Sequence, residues 1–334
     1  MIPTWKPDER LRELLKKLRE QTVKPERILL INTEKELFDP HLLDNLSSVC
    51  TADRKPAGNP RHADSAARKA GALSSVRDAD RRPVIQLKHI RKMEFDHGGT
   101  RHMAAEMLHG EMILFMTQDV MPENSHLIES LLRPFEDPQV CASYARQLPR
   151  RDCSLSERYA RGFNYPAQSR IKTAADLPEL GIKTYFCSNV CAMYRRSAYE
   201  ELGGFERHTI FNEDMIFAGR LIQAGKAVAY CADAEVIHSH NYSGLQQLHR
   251  NFDLGVSQAE HPDLFSGIRS ESEGIALVKK TAAYLLRQRK PWQILPLIWQ
   301  SGCKYLGYRL GREYRRLPKQ VVSACSMNKS YWQA

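Results

Sequence analysis

The sequence has no CxxC pair and no cysteine spacing that suits a zinc site, although it contains eight cysteines. Nothing at its start has the form of a secretory signal, so the thiols are expected to be reduced, in a cytosolic protein. Cys187 and Cys191 are spaced as a facing redox pair would be, but their apolar surroundings favour small core residues. Uninterrupted apolar length is also lacking. The last third would need about 18–20 such residues to cross a bilayer, and Gln300, Lys304 and Arg309 interrupt it. No internal repeat is visible. Residues 51–83 lack aromatic residues and have only Leu73 and Val76 as large aliphatics. Such a stretch buries too little surface to offset chain entropy and is expected as a disordered or loosely helical surface insert.

Acid is scarce in one region. From Val278 to Gln320 the chain has eleven Lys or Arg and a single acid, Glu313. The segment's net +10 equals that of the whole chain, so the remainder is neutral. Charge localised in this way implies an anionic surface, lipid headgroups or nucleic acid. Trp292, Trp299, Tyr305 and Tyr308 are interleaved with the basic residues, which describes helices lying among headgroups. Packing on the rest of the chain, or a homodimer contact, is the alternative use of the same helices. No nucleic-acid partner is expected.

A chain of 334 residues that is 42% hydrophobic can bury a substantial core. The short apolar runs RILLI (27–31), VIQLKHI (84–90), MILFM (112–116) and VCASYAR (140–146) read as buried strands, with further strands near 226–231 and 234–238. Helical patterns lie between them: Leu11, Leu14, Leu15 and Leu18 share one face, and Thr100 to His109 closes at Gly110. Asn124 is placed to cap a helix carrying Leu127, Ile128, Leu131 and Leu132. The alternation predicts an α/β fold with a mostly parallel sheet flanked by helices. Two basic amphipathic helices, broken at Pro291 and Pro296, are expected at the end.

In such sheets ligands bind at the carboxyl ends of the strands. Asp119 directly follows MILFM, where an acid can hold a divalent cation against a diphosphate or simply close a turn. In HGGTR, Gly98 and Gly99 allow close backbone approach, a helix N-terminus follows, and Arg101 adds a charge suited to phosphate. A plain glycine turn fits the same residues. Asp96 either caps that turn or meets a nucleotide's polar edge. Glu213 and Asp214 open a helix, where a carboxylate stays ionised and can accept a proton, or can merely cap. His238 and His240 share one strand face as candidate metal ligands or phosphate contacts.

The ordered set IPTW, EFDHGGTRHMAAEMLHGEMILFMTQDVMP, RQLPR, FNYP, KTYFCSNVCAMYRRSAYEELGGF, FNEDMIFAGRLIQAG, VIHSHNYS and SMNKSYW resembles family-two glycosyltransferases. Within that family it is most similar to bacterial rhamnosyltransferases of cell-wall and capsular polysaccharide synthesis, over residues 1–50 and 84–330. The resemblance implies a GT-A fold and an inverting transfer from a nucleotide sugar such as dTDP-L-rhamnose to a growing or lipid-linked polysaccharide. It implies Asp214 as the catalytic base. Pro3, Thr4, Asn32, Asp96, Gly98, Gly99, Arg101, Gln118 and Asp119 would line the donor, and Ser188, Asn189 and Glu213 the acceptor. The family's Asp-x-Asp motif stands here as Thr117-Gln118-Asp119, so Asp119, with His238 or His240, would hold Mg²⁺ or Mn²⁺. Asn32 occupies a position that is often an Asp contacting the base.

The expected organisation is a catalytic domain over 1–260 and a basic helical extension over 261–334, peripheral at the inner face of the cell membrane. A nucleotidyltransferase on a similar fold, or a non-catalytic binding subunit, are the alternative functions.

Overall fold

The computed structural model describes residues 1–44, 46, 49–51, 83–267 and 271–333. The expected insert, apart from its two end residues, lies outside the described residues. The chain begins with β1 (Ile2–Trp5), α1 (Glu9–Arg19), β2 (Arg27–Thr33), β3 (Val49–Thr51), β4 (Val84–Ile90) and α2 (His97–Met107). Next come β5 (Met112–Met116), β6 (Met121–Pro122), α3 (Leu127–Leu132), β7 (Val140–Leu148), α4 (Leu155–Asn164), β8 (Arg170–Lys172) and α5 (Leu177–Leu180). β9 (Cys191–Arg195), α6 (Arg196–Glu201), α7 (Glu213–Gln223) and β10 (Ala227–Ile237) complete the sheet region. The helices α8 (Gly244–Glu260), α9 (Pro262–Phe265), α10 (Glu271–Arg287), α11 (Ile294–Arg312) and α12 (Lys319–Cys325) follow.

The strands form two sheets that meet at the first residue. β1-β2-β4-β3 pair in parallel. The second sheet runs β5-β9-β7-β10-β6, with β8 also on β10. There β7 and β10 are parallel, while β9 runs antiparallel to both β5 and β7. The Met1 amine donates to Leu114 O (2.7 Å) and the Met116 amide to Met1 O (3.0 Å), which fastens β1 beside β5. β2 is buried on both faces after its first residue, as its continuous apolar run required. Helices cover the sheets on either side. The α1 leucines sit over one face, and an aromatic cluster of Phe115, Tyr194, Tyr199, Phe205 and Phe217 fills the other. This is the expected GT-A-type α/β architecture with a C-terminal helical extension. Its parallel pairing is concentrated in the first sheet.

Several boundaries differ from the sequence expectation: β2 runs on to Thr33 and β7 to Leu148, α2 ends at Met107, and the N-cap of α3 is His126 and not Asn124. α2 starts at His97, because Asp96 caps it. The two expected strands near 226–238 are one strand, β10, irregular between Cys231 and Glu235. Pro296 does not break a helix; it is the third residue of α11, where a missing N–H is no loss.

The last helices are packed against what precedes them. α11 lies on α8 through glycines at which side chains would collide. A Cβ at Gly307 would stand 2.2 Å from Leu248 O, and one at Gly311 2.1 Å from Phe252 O. α10 meets α4 through Tyr284 on Tyr159, with ring centroids 4.9 Å apart. The chain end is latched by Asp253 of α8, whose carboxylate accepts from Ser326 Oγ (2.7 Å), Met327 N and Asn328 N. Gly311→Leu is expected to lower unfolding free energy by about 1–3 kcal/mol or more, because the clash is with backbone. Gly302→Ala, whose Cβ meets nothing within 4 Å in the interior of α11, should leave stability no lower and raise it by up to about 1 kcal/mol. Denaturant unfolding of the two variants checks this, and equal midpoints would contradict the packing described.

Candidate active site

α7 begins where Asn212 takes a left-handed conformation (φ 73°) and turns the chain so that Glu213 and Asp214 enter the first helical turn. The Asp214 carboxylate accepts from its neighbour Met215 N and from Asn189 N, both at 2.8 Å. Glu213 is buried. Its Oε1 stands 3.2 Å from Arg101 Nη1 and accepts from Asn189 Nδ2 at 3.0 Å. Tyr194 OH donates to Asn189 Oδ1 at 2.9 Å. Asn189 thus fixes both acids.

The electrostatic consequence separates the two carboxyls. Burial pushes Asp214 up, Glu213 adds to it, and the result is about 7, despite the two N–H donors. Burial would also raise Glu213, but Arg101 and His97 outweigh it and hold Glu213 below the usual range. Two adjacent acids are thereby tuned to different protonation, one a permanent anion and the other a base poised near neutrality.

Asp119 lies beyond the carboxyl end of β5, and the segment after β10 brings His238 and His240 to it. Asp119 Oδ2 is 3.5 Å from His238 Nε2 and 3.4 Å from His240 Nε2, and one ligand atom from each of the three lies within 4.8 Å of the others. His238 Nδ1 is 2.9 Å from Gln147 Oε1. That contact makes Nδ1 a donor to Gln147 and turns Nε2 towards Asp119, where a bound cation would take its lone pair. Burial, then His238, lowers His240 to about 4, so it is neutral and able to coordinate at pH 7. Burial opposes ionisation of Asp119, yet hydrogen bonding to His238 keeps it well below the ordinary carboxylate range. Two imidazoles and one carboxylate are a donor set that fits a divalent cation.

A run of hydrogen bonds joins the two groups. Gln147, buried at the end of β7, contacts His238 through Oε1 and donates Nε2–H to Ser188 Oγ at 3.0 Å. Ser188 directly precedes Asn189, which holds Asp214. Arg161 of α4 also donates to Gln147 Oε1 and pairs with Glu157 at 2.6 Å.

Several residues expected to touch ligands are used internally instead. Asp96 Oδ1 accepts from Gly98 N and Gly99 N, both at 2.8 Å, and its Oδ2 from Thr209 N. The α2 N-terminus is therefore already capped, and no phosphate cradle is open there. Gly98 and Gly99 are needed because a Cβ would stand 2.0 Å from Glu206 O or 2.4 Å from Arg207 O. Arg101 is buried against Glu213 and the His97 carbonyl, where it orients the acids. Thr4 donates to Asn32 Oδ1 (3.1 Å), and Asn32, fully buried, also contacts Glu34 O and His89. Gln118 spends both ends of its amide on the Trp5 backbone. Pro3 lies within β1 opposite Ile31. Asn189 and Glu213 are buried and hold one another and Asp214. What the structure does gather is Asp119 with both histidines, and Asp214 with Ser188 and Asn189. Gln147 was missed. Its one sequence signal is a polar residue at the carboxyl end of an apolar strand.

Residues 66–203 match the family profile described as Glycosyl transferase family 2. The chain is 43% identical over 252 residues to the O-antigen chain rhamnosyltransferase RfbN of Salmonella typhimurium, covering 74% of this chain and 79% of the relative. It is 44% identical over 247 residues to the O-antigen chain rhamnosyltransferase WbaN of Salmonella anatum, covering 73% and 78%. Among solved structures it is similar to the mannosyltransferase PcManGT from Pyrobaculum calidifontis in complex with GDP-Man and Mn²⁺, at 13% identity and a TM-score of 0.48, covering 99% of this chain and 83% of that one. S. aureus TarS 1–349 in complex with UDP-GlcNAc gives 12% identity and a TM-score of 0.47, covering 94% and 90%.

Proposed function

The chain belongs to glycosyl transferase family 2, and on that premise we propose that it is an inverting rhamnosyltransferase using dTDP-L-rhamnose and a lipid-linked, O-antigen-type glycan. The carrying observation is Asp214, raised to about 7 beside the anionic Glu213 and held by two backbone amides. A base with that value is ionised in about half of the molecules near pH 7 and takes up a proton readily there. The acceptor hydroxyl attacks the anomeric carbon from the face opposite the diphosphate. Its proton passes to Asp214, the new C–O bond forms, and the bond to the phosphate oxygen breaks with its electron pair leaving on dTDP. Arg101, Asn189 and Glu213 keep the base in place.

Asp119, His238 and His240 would hold a divalent cation, which when bound supplies positive charge against the departing diphosphate. The two imidazoles favour Mn²⁺ over Mg²⁺, which prefers an all-oxygen shell. Gln147 keeps His238 in the ligating tautomer.

The donor is tested by thermal stabilisation with Mn²⁺ present, since a ligand at 100 times its Kd adds about 2.7 kcal/mol. dTDP-L-rhamnose should raise the melting temperature more than GDP-mannose or UDP-N-acetylglucosamine. A larger shift with either of those would displace the rhamnosyl assignment.

The enzyme is proposed to act at the inner face of the cell membrane. Among the described residues no helix is long and apolar enough to cross a bilayer. Yet Trp292, Leu295, Ile298 and Trp299 are all more than half exposed on the last helices, among the basic residues. Each Lys or Arg near an anionic leaflet is worth about 1 kcal/mol. Liposome flotation should rise with anionic lipid content and fall with salt; binding indifferent to both would refute the membrane assignment.

A further inference from the structure

A cavity of about 250 Å³ opens between α4, the 240–243 segment, the first turn of α8, and the helices α10 and α11. Its volume falls just below the ~300–1,000 Å³ of typical ligand pockets, which suits a sugar ring and is too small for a nucleotide sugar. His240 stands on its wall, and the same imidazole lies 3.4 Å from Asp119. An occupant is therefore next to the candidate metal cluster. Tyr242, also on the wall, is stacked on His240 with centroids 4.9 Å apart, which fixes that face of the cavity.

The lining is mostly hydroxyl and amide. On the catalytic side these groups are largely engaged: Ser154 Oγ caps α4 (3.1 Å), Ser243 Oγ caps α8 (3.3 Å), and Asn241 Oδ1 accepts from Ser154 N (3.1 Å). Glu157 is paired with Arg161. On α11 the situation is the reverse. The side chains of Gln300 and Ser301 make no hydrogen bond among the described residues, and Lys304 brings the wall its ammonium. Burial lowers the Lys304 pKa while Glu157 opposes the shift, so the lysine is held in the wall and not out in solvent. Groups that both donate and accept, beside apolar surface from Ala160, Leu277, Val278 and Leu297, match a ring that carries hydroxyls on an apolar carbon face.

We propose that this cavity is the acceptor subsite, taking a terminal sugar of the acceptor glycan, and that Gln300, Ser301 and Lys304 of the C-terminal extension determine which sugar it accepts. The proposal rests on the glycosyltransferase reading for its role, although not for its binding test. It gives the glycine-tight α8–α11 packing a purpose, because a wall built by a separate helix reads hydroxyl positions only if that helix is fixed.

The test uses the full chain and three probes, octyl α-L-rhamnoside, octyl α-D-mannoside and octyl α-D-galactoside, with binding followed by saturation-transfer NMR in the absence of donor. At least one glycoside should bind the wild type. Ser301→Leu, which fills the cavity, and Gln300→Ala and Lys304→Met, which remove its polar contacts, should each weaken that glycoside roughly 10-fold or more, the loss of about 1.4 kcal/mol. Affinity for dTDP-L-rhamnose should stay within about two-fold, since the donor does not occupy this cavity. The Gly302→Ala variant, one residue away in open space, should bind the glycoside as the wild type does. Binding by none of the three probes at millimolar concentration overturns the subsite. So does unchanged glycoside affinity in Gln300→Ala and Lys304→Met, or an equal loss in Gly302→Ala. Failure of dTDP-L-rhamnose to bind any variant, with glycoside binding intact, would refute the donor assignment and leave the cavity's assignment standing.

Discussion

Asp214→Asn lowers turnover by at least ~10²-fold, within the ~10²–10⁴-fold range that general base catalysis supplies, while donor affinity changes by only a few-fold. The asparagine keeps the shape but has one acceptor oxygen, so it can keep only one of the two amide bonds that Asp214 takes through separate oxygens; an unchanged far-UV spectrum should confirm that α7 stays folded. Beyond that bond, only the capacity to take a proton is removed. The pH dependence follows from the same group. Asp214 is lifted from the ordinary carboxylate range to about 7, so the wild-type rate should fall as pH drops below about 7 and the base becomes protonated. The raised value also means that the native state holds this proton more tightly than the unfolded chain does. The contribution of Asp214 to stability is therefore greatest at acid pH and is lost as pH rises towards 7. Glu213→Gln removes the second cause of the shift and leaves Arg101, which lowers the Asp214 pKa, without its partner. The acidic limb of the rate profile should move to lower pH. An unmoved limb, or near-normal turnover in Asp214→Asn, would take the base role away from this residue.

Asp119→Ala removes the carboxylate of the cation cluster and should reduce kcat by about 10²–10³-fold, the scale of losing a charge-stabilising group at a leaving group. Mn²⁺ affinity should fall with it, read directly by calorimetry on the free enzyme. Gln147→Leu leaves all three candidate ligands in place and removes the hydrogen bond that orients His238. An outer-shell change of that kind is worth about 10–100-fold in metal affinity. The order expected for Mn²⁺ binding is wild type, then Gln147→Leu, then Asp119→Ala. Equal Mn²⁺ affinity in all three proteins would mean that the cation is held elsewhere.

Much of the fold was legible because its signals are local. β4 and β5 were read with their observed limits, since a continuous apolar run between polar turns has few other uses. The place of Asp119 just past a strand and of the Glu213-Asp214 pair at a helix start was also visible, because both are short-range properties. The detailed roles were not. Asp96, Gly98 and Gly99 read equally well as a phosphate cradle or a capped turn, and the loop at Glu206–Thr209, more than a hundred residues on, decided for the capped turn.

The sequence alone determined the α/β class, the family, and which acids and imidazoles stand at strand ends and helix starts, because hydrophobic period and short motifs are written within a few neighbouring positions. Only the tertiary structure decided which charges meet. It gave Arg101 to Glu213 across 112 positions, placed Gln147 behind His238, and folded the basic extension against α8 so that its polar face closes a cavity beside His240. The physical reason is range. A buried ion pair or a shared hydrogen bond takes its energy from groups brought within a few ångströms by the whole chain, and no local pattern records which distant partner will arrive.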